Sequence, residues 1–270
     1  MYKFTRVICA LAVLLAMCPI LTSSALAGWE QETLTNNTNR TATNLEKFLE
    51  GDVRITEWYQ GGRFNVQDYG YDAAENVTTL VWSDGTVDPG QSTSACFGYD
   101  QNSLTHKYLP RWTYDPSGED FLVAGPALSS RFFVEGDRAY LVLSNTALDN
   151  EPITIAEMDV GYADRVYQME ELVSYDVSGV EWSRSLSDAN VPFGASTEQF
   201  AVPLQPGGVL IYRARLYLES QPDNVVECIG QYEMPRDNPT VSQWGLVVMA
   251  ALLVSAGTIV IVRRRRQFAA

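Results

Sequence analysis

Few residues in this chain have types and spacings that could do chemistry. His106 is the one histidine. It stands in Ser103-Leu104-Thr105-His106-Lys107-Tyr108, beside an expected strand start, and reads as a surface or capping histidine. A nucleophilic triad needs a base beside its nucleophile. None of G-x-S-x-G, H-E-x-x-H, G-x-x-x-x-G-K-[ST] or G-x-G-x-x-G occurs. Zinc and iron favour His and Cys ligands, so no resident metal or organic cofactor is expected, and no enzyme. Calcium takes oxygens from acidic loops. Asp115-Pro116-Ser117-Gly118-Glu119-Asp120 and Asp68-Tyr69-Gly70-Tyr71-Asp72 are its candidate loops, although turn chemistry accounts for their Asp and Gly equally well. Paired carboxylates serve glycoside hydrolysis. With 33 acids in the chain, however, the sequence singles out no pair.

Aromatic residues recur in Glu57-Trp58-Tyr59, Tyr69-Gly70-Tyr71 and Arg111-Trp112-Thr113-Tyr114. On an exposed sheet they could stack on sugars; as cross-strand pairs they are ordinary core. Asn36, Asn39 and Asn76 each begin an N-x-T sequon. Cys96 and Cys228 are the cysteines left once a leader containing Cys9 and Cys18 is removed. In an oxidising compartment they permit one intrachain bridge or two buried thiols. A Cys96–Cys228 bridge is expected.

The elements that must position these residues are short and β-like. Leu45, Phe48 and Leu49 sit at i, i+3, i+4 and predict a helical turn or two. Strand signals then dominate: 53–59, 77–82, 93–99, 107–114 and 130–134, followed by 138–144, 152–160, 198–202, 209–218 and 224–232. In 209–218, Arg213 and Arg215 alternate with Tyr212, Ala214 and Leu216, the period of a strand with one solvated face. Val166, Met169, Leu172 and Val173 suggest a short helix. Many short strands separated by turn residues predict antiparallel sandwiches. Pro89-Gly90 and Pro206-Gly207 each precede a strand, as in immunoglobulin-like sandwiches, and suggest two such units. The expected division is a polar lead-in over 28–44, one β-sandwich domain over 45–135 and a second over 136–236.

The 270 residues carry 19 Lys+Arg against 33 Asp+Glu, a formal net charge of −14. All the acids lie between residues 30 and 237, where they meet 13 of the bases, a net of −20. Such a surface repels nucleic acid and anionic lipid.

Both ends read as targeting segments. Lys3 and Arg6 precede an apolar run over 7–17, and Ala25-Leu26-Ala27 is an A-x-A site before Gly28. Residues 1–27 therefore read as a signal peptide, handled by the secretion translocon and signal peptidase. At the other end, residues 238–262 hold no charge, and Arg263, Arg264, Arg265 and Arg266 follow at once. Residues 244–262 are long enough to span a bilayer as one helix. The arginines would stay cytoplasmic and place the N-terminus outside.

The order Pro239-Thr240-Val241-Ser242-Gln243-Trp244-Gly245, apolar span, arginine cluster resembles the IPTL-CTERM sorting signal, Ile-Pro-Thr-Leu-x-x-Trp-Gly. Pro239, Thr240, Trp244 and Gly245 match, Val241 replaces Leu, and Asn238 departs from Ile. The resemblance covers residues 238–270 and extends in kind to the PEP-CTERM class. It implies a bacterium with an outer membrane, processing by an exosortase-type enzyme, and release to the cell surface or beyond. The resulting expectation is an exported, non-enzymatic protein of the bacterial envelope or extracellular matrix. The alternative is a surface-displayed glycan-binding module or carbohydrate-active enzyme.

Overall fold

The computed structural model of the protein describes residues 28–59, 62–114, 120–172 and 175–235. Their strands form three antiparallel sheets. The largest has seven, in the order β13 (Glu181–Val191), β12 (Ile153–Ala163), β15 (Val209–Leu218), β16 (Gln221–Glu233), β1 (Gly28–Thr35), β6 (Ser92–Tyr99) and β3 (Ile55–Trp58). A five-stranded sheet runs β4 (Phe64–Asp72), β5 (Val77–Gly85), β2 (Asn44–Glu50), β8 (His106–Thr113) and β9 (Phe121–Val123). A four-stranded sheet runs β14 (Phe200–Pro203), β11 (Arg138–Ser144), β10 (Ser129–Glu135) and β7 (Ser103–Leu104). One helical turn, α1 (Met169–Leu172), stands where a short helix was expected.

The mainly β, antiparallel class is as expected. Its division differs. Strands β1, β3 and β6 precede residue 135 and β12, β13, β15 and β16 follow it, yet they hydrogen-bond into one sheet. One buried apolar cluster draws on all three sheets: Phe97 and Tyr212 from the first, Leu45 and Trp82 from the second, Phe132 and Leu141 from the third. The halves therefore share a core rather than each enclosing its own. A chain of ring contacts crosses it, from Trp58 through Trp82, Phe97, Tyr99 and Tyr232 to Phe132, with centroids 5.3–6.2 Å apart. Aromatic pairs of this kind add about 0.5–1.5 kcal/mol each beyond area burial.

Local patterns explain the elements. In β15 the inward series Leu210, Tyr212, Ala214, Leu216 is buried while Arg213 and Arg215 are not, so its alternation was readable. In β2 the buried series is Leu45, Lys47, Leu49. A lysine at a core position disguised the period of two, and the expected helical turn over 45–49 is a strand instead. The presumed lead-in is corrected too. Its first part is β1, paired on both edges and buried on both faces. Trp29 faces a second cluster with Tyr167, Met169 and Leu172, outside the sandwich. The chain then turns at Asn36, whose side-chain amide donates to the carbonyls of Arg40 and Val87.

Cys96 and Cys228 are both free and buried. In register Cys96 opposes Gln31 and Cys228 opposes Glu32. The two cysteines thus flank β1, two strand spacings or about 10 Å apart, and point to opposite faces. Bridgeable cysteines have Cα atoms within about 7 Å. The expected disulfide is corrected to two thiols, each with its pKa raised by burial.

Candidate functional site

The polar centre lies inside the sandwich. Adjacent side chains on a strand point to opposite faces, so Glu30 and Glu32 of β1 share the inward one. Lys47 of β2 meets them from the facing sheet. Its Nζ lies 2.5 Å from Glu30 Oε1 and 2.9 Å from Glu32 Oε2. His106 opens β8, and its Nε2 lies 3.2 and 3.3 Å from the two Glu30 oxygens. The side chains are 0–2% exposed.

Local structure aims them. The β2–β8 register shifts on either side of Phe48, so no β8 residue pairs with Lys47. Irregularities of this kind re-aim side chains. The His106 backbone N–H donates to Ser129 Oγ, and its carbonyl accepts from Thr146 Oγ1. Gly230 opposes Glu30 across β1–β16. A Cβ there would lie 2.2 Å from the Tyr212 ring, so only glycine lets that ring pack beside the site. The Phe97 ring lies 5.1 Å from Lys47 Nζ and adds a cation–π contact.

The electrostatics follow from dryness. Burial pushes the Glu30 carboxyl up, but Lys47 and His106 outweigh it and bring the group down to about 2. Burial also pushes Glu32 up, and there it prevails over Lys47, helped by the charge of Glu30. Burial alone would pull Lys47 down, but the two glutamates hold it above its ordinary value. A carboxylate only accepts hydrogen bonds, so the contact with Glu30 places a proton on His106 Nε2. Nδ1 has no hydrogen-bond partner.

Ligand atoms of Glu30, Glu32 and His106 lie within 4.8 Å of one another, a set that could hold a divalent ion. Here the Lys47 ammonium already supplies the cation to both carboxylates. No motif singled out Glu30, Glu32 or Lys47. The signal lay in a charged pair two residues apart and in a lysine within an apolar series. His106 is corrected from a surface or capping residue to a buried member of the cluster.

The other expected sites do not converge. Asp68-Tyr69-Gly70-Tyr71-Asp72 is the end of β4, not a loop. Asp120 pairs with Arg40 at 2.6 Å, and 115–119 lie outside the described residues. Tyr69 and Tyr71 are exposed on β4, an edge strand, whereas Trp112 is buried. An open cleft of about 720 Å³ runs between 37–39, 122–123 and 220–224; Trp112 is its aromatic lining and Asp223 its carboxylate. Asn36 is buried, so that sequon offers no free amide, while Asn39 and Asn76 are exposed.

The sorting residues Pro239, Thr240, Val241, Trp244, Gly245 and Arg263–Arg266 lie outside the described residues, as do Ala25 and Ala27. Gly28 is the first described residue and opens β1. No helix among the described residues is long and apolar enough to cross a membrane. Comparison with family models decides what the tail is. Residues 239–266 match the IPTL-CTERM motif. No curated protein and no solved structure matches the chain. The IPTL-CTERM signal is of the PEP-CTERM-like sorting kind, which fits an exported, surface-directed protein and an exosortase-type processing partner.

Proposed function

We propose that this is a non-enzymatic protein of the bacterial envelope or extracellular matrix, delivered through its IPTL-CTERM tail. The match over residues 239–266 carries the delivery part of this reading. Around it the parts have a consistent physical logic. The leader over 1–27 commits the chain to export, and Gly28 begins the first strand of the folded unit. Residues 244–262 halt translocation as a single membrane-spanning helix. Arg263–Arg266 hold it, since an arginine at the bilayer centre costs roughly 2.5–3.5 kcal/mol on the insertion scale. Pro239 keeps the preceding backbone extended for the processing enzyme. The sandwich is then released to the cell surface or beyond.

The test fuses residues 238–270 to a secreted reporter in the native host. The parent tail should be processed and the reporter released. The Pro239→Ala, Trp244→Ala double variant should accumulate as an uncut precursor. Equal cutting of both tails would leave a plain membrane anchor.

A further inference from the structure

A dry core rarely holds four ionisable side chains, and this arrangement is also that of a reaction. Lys47 Nζ lies 2.5 Å from Glu30 Oε1, with Glu32 Oε2 2.9 Å from the same nitrogen. His106 Nε2 contacts both Glu30 oxygens, at 3.2 and 3.3 Å. An amine, a carboxyl group, a proton relay and a hydrogen-bond donor thus meet where water does not enter. We propose that Lys47 and Glu30 condense within the folded chain into an amide cross-link between β2 and β1.

Each group has a role. Glu32 takes a proton from the Lys47 ammonium, which frees the nitrogen lone pair, and passes it to one Glu30 oxygen, so that the amine meets a neutral carboxyl group rather than a carboxylate. The nitrogen attacks Glu30 Cδ, and the N–C bond forms as one carbon–oxygen bond breaks. His106 Nε2–H holds the negative charge that develops on the Glu30 oxygen, as an oxyanion-hole donor does. Two ammonium protons leave with the departing oxygen as water, relayed by Glu32. The third stays on the amide nitrogen. No oxidant, cofactor or outside reactant is needed.

Three physical arguments favour the bond. Held together in one geometry, the reactants gain effective molarities up to about 10⁵–10⁸ M. Exclusion of water favours the condensed side and suppresses reversal. Condensation also removes two full charges from a core where burying an ion pair is costly. The raised Glu32 carboxyl suits the relay, because it readily accepts a proton. The bond would close a 17-residue separation and tie the seven-stranded sheet to the five-stranded one. That adds covalent strength to a displayed domain whose cysteines form no bridge, and it does not depend on how the tail is processed.

The test is mass spectrometry of the full exported chain. The expected mass is lower than the sequence requires by one water molecule. After denaturation, trypsin should fail to cut after Lys47. It should yield a branched peptide joining the fragment that ends at Arg40 to residues 41–54. Full recovery of linear peptides ending at Lys47 would overturn the proposal, and so would such peptides together with zinc retained by the native chain. In freshly folded protein, Glu32→Gln should slow bond formation about 100-fold or more, the usual worth of a general base. If a folded Glu32→Gln chain cross-links as fast as the parent, the relay is refuted.

Discussion

Two charged networks occupy opposite faces of the seven-stranded sheet. On the inner face Glu30, Glu32, Lys47 and His106 are sealed from water. On the outer face Arg213 contacts Asp159 at 2.9 Å, and Arg215 contacts Glu157 and Glu227 at 3.1 and 3.0 Å. The Arg213 guanidinium also lies 4.8 Å from the Tyr175 ring and 4.6 Å from Trp182. The residue types are similar; the solvent is not. Outside, Arg215, Glu157 and Glu227 are about two-fifths exposed and can exchange their partners for water. Inside, each charge depends on its neighbours, so removing one strands the rest. The inner network is therefore a point of fragility, and of reactivity, that the outer one cannot be.

Breaking the inner network should give the largest effect. Lys47→Met leaves Glu30 and Glu32 side by side without a cation. Uncompensated buried charge of this kind costs about 3–5 kcal/mol, which denaturant titration would read against freshly folded parent chain in which Lys47 and Glu30 are still unlinked. Next comes the wall of the cluster. Gly230→Ala forces a Cβ into the Tyr212 ring, an overpacking worth about 1–3 kcal/mol. Arg215→Met on the outer face should cost only about 0.2–1 kcal/mol. That loss should shrink in about 1 M salt, where screening reaches a few ångströms, while the loss from Lys47→Met should not.

Acid sharpens the same contrast in chains where Lys47 and Glu30 remain unlinked. Glu30 has a lowered folded pKa, so its contribution is present above the ordinary carboxylate value and lost as pH falls toward about 2. Glu32 has a raised one, so its charged form costs stability, and that cost is relieved below its folded pKa. Glu30→Gln should accordingly destabilise more than Glu32→Gln at neutral pH, with the gap closing as pH falls below 4.5. The smallest effect concerns the thiols. Cys96 and Cys228 should resist alkylation in the native chain, and both should react after unreduced denaturation.

The strand that carries the outer arginines was legible and the inner network was not, for a physical reason. Strands β11 and β15 carry apolar residues on one face and polar residues on the other, so alternation alone located Arg138–Ser144 and Val209–Leu218. Strand β1 is buried on both faces and carries Glu-Gln-Glu, so its composition imitates a solvated segment. Strands β4 and β13 stand at sheet edges with most residues exposed, and their polarity hid them. The tail was legible because motif, apolar span and arginines coincide within 33 residues. The convergence of Glu30, Lys47 and His106 depends on pairing between distant strands, which local pattern does not encode.

Export followed by processing at the IPTL-CTERM tail is the route proposed for this chain. Its most direct test is the intact mass and terminal sequence of the mature chain recovered from the native cell surface or medium. The mature chain should begin at Gly28 and should have lost Arg263–Arg266. A surface form that keeps residues 244–270 intact would contradict that route.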